Sequence, residues 1–223
     1  GLGATAIITT ATDGRAVFAV DSWAKSHECV VFDPENIKYI SGALLRGDTV
    51  GLRSAFPVDG LLPAHINTKT AAESGFVIGF DTEVQPFPHT LHLVPRVISL
   101  GIGCRKGTDE ETIRAAVNEA LAAHGIDRRA VKCAASIDLK AEEAGLLAYC
   151  RSEGLSAEFY TADELRAVRG EFTPSEFVKS ITGVDNVCER AALRNAETLL
   201  VKKTARSGVT VAAAAEHWEV RFA

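Results

Sequence analysis

Apolar positions recur at two different periods along the chain, and the two periods alternate. An Ile- and Thr-rich run at residues 4–10 predicts a strand. A turn at Asp13-Gly14 and a segment at residues 16–23 follow. Asp33-Pro34 predicts a helix start, with Asp33 as the cap and Pro34 at the first helical position. Ile37, Ile40, Leu44 and Leu45 give that helix an apolar stripe, and Gly47 ends it. Val50–Ser54 predicts a short strand, and Pro57-Val58-Asp59-Gly60 a turn. Residues 63–90 are rich in turn formers and contain one predicted strand, at 76–80. Pro86, Pro88 and Pro95 bracket residues 90–94, and a domain boundary is expected there.

The remaining residues are more regular. Residues 96–101 (RVISLG) have the continuous apolar character of a buried strand. Thr108-Asp109-Glu110-Glu111 predicts a capping box with Thr108 as the cap. Ile113, Ala116, Val117, Ala120 and Leu121 follow at helical spacing. Strands are predicted at 131–136 and 157–160, with a helix at about 141–152 between them. Further capping boxes are predicted at 161–164 and at Thr173-Pro174-Ser175-Glu176, and Asp185 as the cap of a last helix. Residues 198–201 and 209–213 flank Ala205-Arg206-Ser207-Gly208 and predict a terminal hairpin. This order predicts an α/β fold. Its C-terminal domain is three-layered, with a mainly parallel sheet and an antiparallel edge hairpin, and a smaller α/β segment precedes it.

Composition narrows the function classes. The 223 residues carry a net charge of −5 and are 47% hydrophobic but only 7% aromatic. A field of that sign does not attract nucleic acid or an anionic membrane, so any anionic ligand needs a local cluster of cations. No apolar run has the length of a spanning helix. Five cysteines without a CxxC pair argue against a structural zinc or a redox dithiol, and for a reducing, cytoplasmic setting. The chain begins Gly1-Leu2-Gly3 and contains no Met, so the start of the natural protein is expected to be missing.

Three segments carry candidate chemistry. Gly101-Ile102-Gly103-Cys104-Arg105-Lys106-Gly107-Thr108 lies between a predicted strand and a capped helix. In open α/β sheets ligands bind beyond the carboxyl ends of strands, and glycines with free helix amides suit an anion. Read from spacing alone, the segment is equally a tight turn with two solvated cations. It matches neither GxGxxG nor a P-loop. The second segment, Ser136-Ile137-Asp138-Leu139-Lys140-Ala141-Glu142-Glu143, should open beside the first. Lys140 could hold a carboxylate, and Asp138 or Glu142 could activate water. Spacing alone favours the simpler alternative, in which Asp138 caps the helix and Lys140 is solvated. The third segment, Thr9-Thr10-Ala11-Thr12-Asp13, could bind a ligand but more simply makes Asx and Ser/Thr turns. The six histidines show no metal-ligand spacing, and there is no GxSxG elbow.

These segments resemble the CbiG family, the cobalt-precorrin-5A hydrolases. The resemblance rests on LGIGCRKGT (100–108), SIDLKAEEAGLLA (136–148), GVDNVCERAAL (183–193) and the closing LLVKK and VTVAAA. That block also resembles the CobE proteins. ITTATD (8–13) and IKYISGALLRGDTVGL (37–52) resemble the family's middle region, which is poorly matched from Pro63 to Pro88. The family's Ser-Gly-His and Gly-Gly-Ala-Asn signatures, which precede ITTATD, are absent.

The resemblance implies a division into an N-terminal remnant at 1–22, a middle region at 23–94 and a C-terminal α/β domain at 95–223. It implies hydrolysis of the δ-lactone of cobalt-precorrin-5A, with loss of acetaldehyde. If the missing part supplies catalytic groups, the chain is expected to bind without turnover. The alternative is a non-catalytic tetrapyrrole carrier like CobE. Expected catalytic residues are Asp138 and Glu142. Expected substrate-binding residues are Thr10, Gly101, Gly103, Cys104, Arg105, Gly107, Thr108, Ser136 and Lys140. No cofactor and no protein-bound metal are expected, since cobalt arrives with the substrate. Expected partners are that anionic macrocycle, neighbouring pathway enzymes and a second copy of the chain.

Overall fold

The computed structural model describes residues 17–69 and 71–222, which divide into two compact units. The first takes the described residues up to Pro95 and those from Glu219 onward, and the second runs from Arg96 to Trp218. The predicted strand at 4–10, Thr10 and the turn at Asp13-Gly14 lie outside the described residues.

The first unit contains helix α1 (Val20–Ser26), strand β1 (Cys29–Val31), helix α2 (Ile37–Arg46), and strands β2 (Val50–Ser54), β3 (Val58–Asp59), β4 (Ile66–Asn67), β5 (Ser74–Ile78) and β6 (His89–Pro95). Its sheet has the order β1-β6-β5-β2-β4, parallel throughout except for β1 against β6. Pro34 does open the first turn, but as a 3₁₀ turn, and Asp33 does not cap it. The Asp33 carboxylate instead meets Nδ1 of the buried His92 at 2.5 Å, and Nε2 of His92 meets the Val84 carbonyl at 2.8 Å. Val58 and Asp59, expected in a turn, pair in parallel with Val220 and Arg221 near the end of the chain. That pairing was invisible locally because its partner lies far along the chain. The Trp23 indole donates to the Arg221 carbonyl at 2.7 Å and fixes the same returning segment.

The second unit is built from β7 (Ile98–Cys104), α3 (Glu110–Ala122), β8 (Val131–Ile137), α4 (Ala144–Ser152), β9 (Ser156–Tyr160), α5 (Ala162–Ala167), α6 (Glu176–Thr182), α7 (Val187–Ala192), β10 (Thr198–Arg206) and β11 (Val209–Ala215). The sheet order is β10-β11-β7-β8-β9. Strands β7, β8 and β9 are parallel, and the β10–β11 hairpin runs antiparallel along the β7 edge. Helices α3 and α4 pack together, and α7 lies across β7, β8 and β11. The predicted mixed α/β fold, with its antiparallel hairpin, is what forms.

Register explains how α7 comes so close. Ala212 faces Gly101 across one strand pair, and Gly101 faces Ala135 across the next. This row of small residues lies under α7. A Cβ on Gly101 would sit 1.7 Å from the Cys188 carbonyl oxygen, so only glycine admits the helix backbone there. The opposite parity of β7, Ile98, Leu100 and Ile102, is fully buried. Each such side chain contributes about 1.5–3 kcal/mol of burial.

Several caps fall one or two residues later than the sequence predicts. Helix α3 is capped by Asp109, which accepts from Thr112 N at 2.8 Å, and Thr108 instead donates its hydroxyl to the Arg105 carbonyl. Ser175, not Thr173, caps α6, and Asn186, not Asp185, caps α7. Helix α4 starts at Ala144 after a 3₁₀ turn at Asp138–Lys140. The box at Thr161 and Glu164 forms as predicted.

Candidate functional site

A cleft of about 540 Å³ opens where β7 and β8 end. Because these strands are parallel neighbours, the loops that follow them meet at one end of the sheet. Arg105 and Lys106 come from the first loop and Lys140 from the second, and all three line the cleft. Lys203 of β10 is a fourth cation in its lining. Among the described residues no Asp or Glu lines it. Ile137, Val178, Ile181, Val187 and Val209 supply apolar surface.

The loop after β7 is tied on both sides. Arg105 N donates to the Gly208 carbonyl at 3.2 Å, and the Arg105 side chain lies against the bare Cα of Gly208. Ser207 and Gly208 both have positive φ, 51° and 82°, which makes a two-residue turn whose twist matches the hairpin. Gly107 N donates to Glu143 at 2.5 Å, and Lys140 Nζ meets the other oxygen of Glu143 at 3.0 Å. These donors, the Gly107 amide first, hold the Glu143 carboxyl below its usual range. Glu143 therefore joins the two loops while lying outside the cleft lining.

The expected site residues separate accordingly. Gly103, Cys104, Arg105, Ser136 and Lys140 line the cleft. The Ser136 hydroxyl is committed to the sheet, donating to the Ile102 carbonyl at 2.6 Å. Burial pushes the Cys104 thiol up, against the pull of Lys140. Gly101 lies beneath α7 instead, where its role is packing. Gly107 and Thr108 shape the loop without lining the cavity. Asp138 and Glu142 are exposed and outside the lining, and Asp138 accepts from the Leu139 amide at 2.8 Å.

Other parts of the site were not singled out from sequence. Ser175, Val178 and Ile181 form one wall, and Asn186 and Cys188 lie at the start of α7. Asn186 and Lys203 fall in segments that carried the family resemblance, but nothing in their spacing gave them a role. Behind them Glu189, 1% exposed, accepts from Thr173 N and Oγ1, Asn186 Nδ2 and Lys203 N, at 2.7–2.9 Å.

The family profile described as "Cobalamin synthesis G C-terminus" matches residues 98–214, more than half of the chain and most of the unit that holds the cleft. The chain belongs to the CbiG family. It is 30% identical to a cobalt-precorrin-5A hydrolase of Salmonella typhimurium, over 97% of this chain and 65% of that protein. It is 26% identical to a cobalt-precorrin-5A hydrolase of Priestia megaterium, over 93% of this chain and 61% of that protein. The chain thus spans less than two thirds of the length of these CbiG-family relatives. The crystal structure of CobE, a protein from the cobalamin (vitamin B12) biosynthetic pathway, matches with a TM-score of 0.51 and 30% identity. That match covers 55% of this chain and 92% of CobE.

Proposed function

We propose that the cleft of the second unit binds cobalt-precorrin-5A as part of a hydrolase that opens its δ-lactone and releases acetaldehyde. One observation carries this reading: among the described residues the cleft is lined by four cations, apolar walls and no carboxylate, in a chain of net charge −5. A corrin-forming macrocycle offers an apolar ring system with acetate and propionate groups at its edge. Arg105, Lys106 and Lys140 suit those carboxylates, with Arg105 able to make a paired contact. The similarity to named cobalt-precorrin-5A hydrolases over nearly the whole chain supports the same substrate.

In this reading water opens the lactone, and the extruded carbon leaves with its methyl group as acetaldehyde. The reaction needs a base for the water and a polarising group for the lactone carbonyl. Cations of the cleft rim can polarise the carbonyl. Asp138 and Glu142 stand outside the lining, so the second unit is a binding platform whose base comes from elsewhere. No organic cofactor and no protein-held metal enter the reading, because cobalt travels with the substrate. A cytoplasmic setting, pathway enzymes that take up the product, and a second copy of the chain belong to the same proposal.

The match to 92% of CobE, a protein from the cobalamin biosynthetic pathway, leaves a second reading: a carrier that holds the macrocycle without converting it. Incubating this chain with cobalt-precorrin-5A separates the two. Binding, followed by absorbance, together with released acetaldehyde supports the hydrolase. Binding without acetaldehyde, in this chain and in any longer form of the protein, supports the carrier. Acetaldehyde from a longer form alone supports the hydrolase, with a base supplied outside the cleft. Absence of binding overturns both.

A further inference from the structure

Strand β10 is not regular where it passes the cleft. Val201 pairs with Ala213, and Thr204 pairs with Val211. Three steps on β10 therefore match two on β11, which is a β-bulge with one extra residue. Strand parity then follows. Ala213 and Val211 are two apart and share a face, so Val201 and Thr204 share it too. In an unbroken strand Lys203 would lie on the same face as Val201. The extra residue moves it to the other face, with Ala205 and Thr210, which also line the cleft. Bulges are a recurrent means of re-aiming a side chain beside a site.

A bulge leaves an amide without a ladder partner. Here the Lys203 amide donates to Glu189 at 2.7 Å. Glu189 is buried and takes its other hydrogen bonds from Thr173, at the base of the segment bearing α6, and from Asn186, the cap of α7. One carboxylate therefore ties the bulge to two other walls of the cleft. Burial pushes the Cys188 thiol up to about 11, and the Thr210 hydroxyl and, more weakly, Lys203 pull against that rise. The preceding Lys202 is exposed and does not line the cleft.

We infer that Lys203 is a carboxylate-binding residue of the cleft, turned into it by the β10 bulge, with Glu189 as the positioning residue that holds the bulge. The inference rests on the cleft binding a polycarboxylate macrocycle. It adds a contact that neither loop at the strand ends provides, and it places that contact on the hairpin side of the cavity.

The test uses uroporphyrin, an octacarboxylate tetrapyrrole, titrated into the whole chain and followed by absorbance. Lys203→Met should weaken binding about tenfold with an unchanged melting temperature, because the backbone amide keeps its partner. Lys203→Arg should retain most of the affinity, and Lys202→Met should stay within twofold of the parent. Glu189→Gln should weaken binding in the parent but by less than twofold when Lys203 is already Met. A merely structural Glu189 would weaken both backgrounds alike. If Glu189→Gln does not fold, the Lys203 and Lys202 variants decide the matter. Normal affinity in Lys203→Met alongside a loss in Arg105→Ala overturns the inference and leaves the binding reading intact. No affinity in the parent overturns the binding reading, and the inference with it.

Discussion

Gly101 and Arg105 stand four positions apart, and the structure gives them opposite kinds of work. Arg105 lines the cleft, with its backbone amide held by Gly208. Arg105→Ala should therefore weaken uroporphyrin binding at least tenfold, about 1.4 kcal/mol or more, while melting nearly unchanged. Gly101 has a helix backbone where its side chain would be. Gly101→Ala should lower the melting temperature, at an overpacking cost of about 1–3 kcal/mol or above. Thermal melts of the two variants check this, and equal loss of stability in both would contradict the division. Sequence reasoning saw both residues in one segment. It assigned Gly101 to a ligand because a glycine required by close approach looks the same whether the approaching atoms belong to a ligand or to α7. The cations Arg105 and Lys140 were legible because strand–loop–helix order alone brings their loops together. Lys203 was not, because a bulge is set by pairing with β11 and by a buried carboxylate from a different helix.

At the scale of elements, regular periodicity was readable and competition for hydrogen bonds was not. Helix α3, strands β7 and β8 and the terminal hairpin all follow from runs of apolar residues at the right spacing. The displaced caps have partners that no local window contains. Thr173 gives its amide and hydroxyl to Glu189, so Ser175 caps α6. Asp33 meets His92 and leaves its helix uncapped. Glu143 is a further case, joining the loop after β7 to the turn before α4 through Gly107 N and Lys140. Its carboxyl titrates lower in the folded chain than the ordinary 4.5, so its contribution is full above about that pH. The contribution is lost as pH falls through the folded value. Glu143→Gln should therefore be less stable than the parent at pH 7, and the gap should narrow as the pH drops below 4.5. Lys140 and Lys106 are the cations that face the same carboxyl, and Glu143→Gln removes only the carboxylate, so the narrowing is read on Glu143. Denaturant midpoints at several pH values check it, and a gap independent of pH would refute the assignment.

At the scale of the whole molecule, two electrostatic terms oppose each other. The net charge of −5 repels a polyanion, while the cations of the cleft attract it at short range. Salt screens both, but the charges dispersed over the chain are the farther from a bound ligand and are screened first. Close pairs inside the cleft weaken more slowly, because they are partly removed from solvent. The apolar walls, Ile137, Val178, Ile181, Val187 and Val209, add a term that salt does not weaken. Raising ionic strength from about 0.05 to about 0.5 M shortens the screening length from over 10 Å to below 5 Å. Uroporphyrin binding should weaken across this range and then level off at a residual affinity set by the apolar contacts. In Arg105→Ala combined with Lys203→Met the slope should be shallower and the residual affinity closer to that of the parent. Titrations at four or five salt concentrations measure both quantities. A parent affinity that does not respond to salt would show that the cations do not meet the carboxylates. A parent affinity that vanishes at high salt would show that the walls do not meet the ring.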